Sequence, residues 1–116
     1  VTGPQLRRFW AMLRDISRQV EWVVNGQLCH MDEESWRLVM CAAYTQETRI
    51  AQGINGGHVV LGLRLRDIFK GHDDETRVRI ASELIELVYE FGARNSVKWT
   101  DPKEAAMREQ YEQEMA

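Results

Sequence analysis

Arg7, Arg14 and Arg18 lie on one face of a helix. At about 100° per residue they fall within roughly 40° of one another, while Leu6, Phe9, Trp10, Leu13, Ile16 and Val20 occupy the far side. Gln5 and Arg8 sit beside them at the helix start. A stripe of one sign with no i,i+4 acid repels itself and is better satisfied by an anion. Arginine is the cation suited to phosphate, because its planar fork of donors matches the oxygens and its face stacks on bases. A second basic pair, Arg64 and Arg66, follows the glycine-rich INGGH stretch at 54–58. An ordinary solvated face would carry the same residue types, so the pattern alone leaves both readings open.

Other chemistry finds little support. His30, His58 and His72 are scattered, and Cys29-His30 with Cys41 lacks the paired spacing of a zinc site. No phosphate-loop motif with its lysine is present, and no nucleophile has an evident base beside it. Asp73, Asp74 and Glu75 have the residue types of a magnesium nuclease cluster, but acids at a helix start ordinarily serve as caps. The residues therefore point to a binding protein with no enzymatic activity, no metal and no cofactor.

The 116 residues carry 15 basic against 18 acidic side chains, a net charge of −3, with 44% apolar residues and four tryptophans. That is enough for one domain with a real core, which we place over residues 1–116. No run of about 18 apolar residues spans a membrane. No basic-then-apolar leader is present, and the two cysteines fit a reducing cytoplasm. The chain begins at Val1, which suggests a piece lacking an N-terminal segment. The overall acidity hides an asymmetry. Residues 1–20 and 49–70 are each net positive, and the remaining stretches are acidic.

These residues are positioned by a mainly α fold with small β elements (α+β). The spacing predicts four helices, over 4–20, 33–47, 74–91 and 102–115. Pro4 opens the first, Asp32 caps the second, and Asp73 or Asp74 caps the third with Gly92 as its stop. The last carries only a thin stripe of Met107, Tyr111 and Met115, a candidate dimer contact. VEWVV-NG-QLCHM reads as a β-hairpin, because Asn25-Gly26 suits a type I′ turn. Residues 48–57 read as a loop and 58–63 as a short strand. In RLRDIF the alternation of Arg64, Leu65 and Arg66 reads as extended, with both arginines on one face.

Six stretches in this order resemble the NinB family of phage recombination proteins, the Orf proteins of lambdoid phages: QLRRFW at 5–10, DISRQVEW at 15–22, DEESW at 32–36, HVVLG at 58–62, ELIELVYEFG at 83–92 and VKWTD at 97–101. The resemblance covers nearly the whole chain. It implies a mostly helical homodimer with a central cleft, encoded by a phage or prophage and acting in the cytoplasm of the bacterial host. It implies binding to single-stranded DNA in preference to duplex. It also implies recombination mediation, in which a recombinase is loaded onto DNA coated by the host single-strand binding protein. The family's first motif usually pairs Gln with Asn, where this chain has Gln5-Leu6. The run after Gly62 is longer than the family's, so Arg64 and Arg66 both stand for its cleft arginine.

On this reading Gln5, Arg7, Arg8, Arg14, Arg18, Arg64, Arg66 and Lys98 face DNA. Trp22 or Trp99 supplies a stacking surface, and Trp10 and Trp36 belong to the core. Dimerisation would sum two basic faces around one cleft and leave acidic surfaces outward. The alternative is a protein-interaction module whose basic stripe grips the acidic tail of the host single-strand binding protein, with DNA contact incidental.

Overall fold

In the computed structural model, which describes residues 3–46, 49–61 and 64–101, eight elements follow one another. They are α1 (Gly3–Gln19), β1 (Glu21–Val24), β2 (Gln27–His30), α2 (Glu33–Thr45), β3 (Arg49–Gln52), β4 (His58–Leu61), α3 (Leu65–Phe69) and α4 (Asp74–Arg94). The architecture is mainly α with small β elements, as the sequence indicates. The expected helix over 102–115 lies outside the described residues.

Helix α1 is central and packs on both α4 and α2, which also touch each other. Its apolar stripe delivers Phe9, Met12, Leu13 and Ile16 to the core. There they meet Trp36, Met40 and Cys41 of α2 and Ile80, Leu84, Ile85 and Val88 of α4. Asp32 caps α2 by accepting a hydrogen bond from the Ser35 N–H at 2.8 Å, and Asp73 caps α4 through the Thr76 N–H at the same distance. Each of these bonds holds its aspartate below the usual carboxylate range. The acids at 73–75 thus open a helix, and no group of three His, Cys, Asp or Glu side chains suited to a metal occurs among the described residues.

The β1–β2 pair is the antiparallel hairpin expected around Asn25-Gly26, and both turn residues have positive φ (52° and 78°).

Four local expectations are overturned. Residues 49–52, expected within a loop, form strand β3 and pair antiparallel with β4, Arg49 opposite Leu61 and Gln52 opposite His58. Leu65 to Phe69 form a helical turn and not an extended segment. The Asp67 carboxylate accepts the Arg64 backbone N–H at 3.2 Å, while Ile68 and Phe69 are buried. Burying Leu65, Ile68 and Phe69 together calls for helical i, i+3, i+4 spacing, which overrides the short alternation of Arg64, Leu65 and Arg66. Gly92 does not stop α4, which continues to Arg94. Its role is close packing, since a Cβ there would lie 2.3 Å from Cζ2 of Trp99. Trp99 is buried and stacks on Tyr89 with ring centroids 6.3 Å apart, so it belongs to the core and offers no face to a base. Trp22 keeps part of its surface exposed while resting on Trp36 and Phe91.

Candidate nucleic-acid interface

The short helix α3 lines a basic concavity. Arg64, Arg66 and Lys70 line it together with Arg77 of α4, Leu6 of α1 and Phe69. The groove encloses about 870 Å³, and Asp67 is the one acid among its lining residues. Two of its cations are held in place. The Arg64 Nε lies 3.6 Å from the Asp67 carboxylate that also caps α3, and Arg77 donates from Nε to the Phe69 carbonyl at 3.2 Å. Arg66 and Lys70 are exposed and have no ion pair with an acid among the described residues. Four cations around one opening, with one acid already engaged, make a surface complementary to several phosphates.

The remaining expected residues do not all join this groove. The Gln5 amide donates to Ser82 Oγ at 3.0 Å and to the Val78 carbonyl at 3.4 Å, which ties the start of α1 to α4. Gln5 and Arg8 line a neighbouring, smaller groove of about 380 Å³ that also carries Glu86 and Glu90. That groove is mixed in charge and less suited to a polyanion. Arg7, Arg14 and Arg18 are exposed along α1. Arg14 is not unpaired as the sequence suggests: its Nε lies 3.3 Å from Glu33 of α2, both half-exposed. Helical spacing within α1 could not show this partner, because it comes from another element. Lys98 sits at the opposite end of α1, where its backbone N–H and carbonyl both bond the Gln19 amide at 2.7 Å. Thirteen residues of helix separate Leu6 from Gln19, so Lys98 lies roughly 20 Å from the basic groove.

Sequence reasoning misses Lys70 and Arg77 as groove residues. Lys70 is visible in the sequence only as part of a locally positive stretch. Arg77 is hidden by the acidic run before it, although its place on the first turns of a capped helix next to α3 is the available signal.

Residues 2–100 match the family model described as NinB protein. The chain belongs to the NinB family. It is 36% identical over 105 residues to protein ninB of Escherichia phage lambda, a match covering 89% of this chain and 62% of that relative. The ninB protein of Enterobacteria phage P21 gives the same identity and coverage, and that of Salmonella phage P22 is 35% identical. The chain thus spans about 62% of the length of these curated NinB relatives. A solved structure described as "Structural Genomics, NinB" aligns with a TM-score of 0.62 and 34% identity, over 97% of this chain and 71% of the other. No helix among the described residues is long and apolar enough to cross a membrane.

Proposed function

We propose that this NinB chain binds single-stranded DNA without catalysing a reaction on it. It would act as a recombination mediator that helps load a recombinase where the host single-strand binding protein coats the strand. The single observation that carries this reading is the groove in which Arg64, Arg66, Lys70 and Arg77 converge against one acid. A binder without sequence preference needs a cationic track for the backbone more than it needs base-edge readout. The exposed Arg7 and Arg18 extend positive charge along α1. On this reading the protein works as a homodimer in the cytoplasm of a bacterial host.

Exchanging Arg66 and Lys70 together for Glu tests the proposal, because both side chains are exposed and neither pairs with a described acid. The variant should keep the wild-type circular dichroism spectrum and lose binding to a labelled single strand. Undiminished binding would remove the groove from the function.

A second reading is favoured by the way Arg14 and Arg64 already engage carboxylates. The same basic surfaces would then hold the acidic tail of the host single-strand binding protein, with DNA contact incidental. Arg7→Ala with Arg14→Ala separates the two: loss of capture of that protein with full DNA binding favours the second reading.

A further inference from the structure

Helices α2 and α4 run antiparallel. Trp36, near the start of α2, meets Phe91, near the end of α4, with ring centroids 5.3 Å apart. At the other end of the pair the Tyr44 hydroxyl donates to the Glu83 carboxylate at 2.8 Å. Between the two helices lies an open groove of about 460 Å³, lined by Val39 and Ala43 of α2, Leu87 and Phe91 of α4 and Trp22 of β1. Trp22 meets both Trp36 and Phe91, so it stands at the Phe91 end. Val39, Leu87 and Phe91 are only half-buried, and Ala43 is exposed. The lining holds one cation, Arg94, and no acid. Arg94 is exposed and has no ion pair with an acid among the described residues. A lone cation beside apolar side chains is a poor phosphate track and a good fit to a protein surface.

The described parts of this chain do not supply the filler. The segment after α4 leaves on the other side of that helix, where Trp99 packs on Tyr89 and Gly92 and Thr100 bonds Asp15 of α1. At about 100° per residue, the α4 face carrying Tyr89 and Gly92 points roughly 160° away from the face carrying Leu87, Phe91 and Arg94. A second copy fits no better. Helices α1, α2 and α4 spend their apolar stripes on their own core. The exposed apolar side chains of the β3–β4 hairpin come with Arg49 and no acid, so Arg94 repels them. On the β1–β2 hairpin, Glu21 already lies 3.8 Å from His30.

We infer that this groove docks an amphipathic helix of a different protein, which seats two large apolar side chains four residues apart against Val39, Ala43, Leu87 and Phe91 and sets a carboxylate on Arg94. Shape supports a helix, because two packed helices leave a furrow that takes the ridge of a third, and the small Ala43 lets that ridge sit deep. Leu87 to Arg94 spans about 10 Å of helix, room for two anchors one turn apart. Recognition of this kind reads apolar anchors at i and i+4. Charge supports an acidic flank, since Arg94 faces no acid in the lining. The inference goes beyond DNA binding and does not rest on it. Leu87 is ten residues along α4 from Arg77 of the basic groove, roughly 15 Å, so both surfaces can be occupied together.

The test titrates three alanine-based helical peptides of about 15 residues into the isotope-labelled full chain, followed by nuclear magnetic resonance. One carries two leucines four apart and a Glu one turn later. The second has Lys for that Glu, and the third has Ala for both leucines. Shifts should gather at Val39, Ala43, Leu87, Phe91 and the Trp22 indole. The Glu peptide should bind at least about tenfold tighter than the Lys peptide, and the Ala peptide should not bind. Arg94→Glu should reverse the order of the first two. Ala43→Leu, which fills the groove from an exposed position, should weaken the Glu peptide at least about tenfold and leave the circular dichroism spectrum and single-strand affinity unchanged. No shifts with any peptide, shifts elsewhere, or an order that ignores Arg94→Glu overturns the inference. Another occupant overturns it too. Tighter peptide binding by Tyr111→Asp would put the chain's own 102–116 segment in the groove, a changed sedimentation of Ala43→Leu would put a second copy there, and competition by a single strand would put DNA there. Peptide binding that stays intact in a protein that ignores DNA defeats only the proposed function.

Discussion

The Asp15 carboxylate accepts two hydrogen bonds from Thr100, one from its backbone N–H at 3.0 Å and one from its hydroxyl. Asp15 is 5% exposed, so this bond pair pins the segment after α4 to the C-terminal part of α1. Just upstream, Lys98 is clamped by Gln19, and Val97 and Trp99 enter the core. Two polar side chains on α1 thus set the path of VKWT. Hydrogen bonds to a charged group contribute about 1.5–3 kcal/mol each, and Thr100 is exposed enough for water to replace part of that stabilisation. Asp15→Ala should therefore destabilise the fold by about 2–3 kcal/mol, read as a lower urea midpoint with an unchanged slope.

The close approach of Gly92 to Trp99 gives a second stability prediction. A methyl group at position 92 cannot coexist with the indole where it now stands. Gly92→Ala should cost about 1–3 kcal/mol despite the better helix propensity of alanine, because overpacking outweighs propensity here. Thermal unfolding followed by tryptophan fluorescence would show it, and a stabilised variant would mean that Trp99 moves freely.

Asp73 sets a pH dependence. The Thr76 hydrogen bond holds its carboxyl below the ordinary value of 3.8. The group is therefore more acidic folded than unfolded. Its stabilisation is fully present above the unfolded value and is lost as pH falls through the lower folded one. Asp73→Ala should lower the melting midpoint by the same amount at pH 7 and pH 6, and the gap to the wild type should close below about pH 4.

In DNA binding, the arginines should rank by position and not by number. Arg66→Ala should weaken single-strand binding and flatten the plot of log affinity against log salt by about 0.7, the slope that one phosphate neutralised on a single strand contributes. Arg14→Ala should do far less, because that side chain already faces Glu33. Anisotropy titrations of the two variants at three salt concentrations would check the order.

The elements of this fold are legible in the sequence where local signals are strong. The α1 stripe, the Asn25-Gly26 turn and the Asp32 and Asp73 caps depend on residues close in sequence. What cannot be read there depends on contacts between distant elements. Arg14 gains Glu33 across a helix pair, Gly92 faces Trp99 across a turn, and Asp15 accepts hydrogen bonds from the distant Thr100. The groove is half legible for the same reason. Arg64 and Arg66 stand out as a pair, but only the turn of α3 brings Lys70 and Arg77 beside them. The two hairpins read unequally because the glycine-rich tip of the second, with Gly56 and Gly57 at positive φ, resembles a loop and hides the pairing of β3 with β4.

Single-strand binding itself is best tested by a fluorescence-anisotropy titration of one labelled single strand and its matched duplex at two salt concentrations. We expect tighter binding to the single strand, falling steeply as salt rises because phosphate contacts release counterions. Binding that ignores salt, a preference for the duplex, or no binding to either would refute the proposed function.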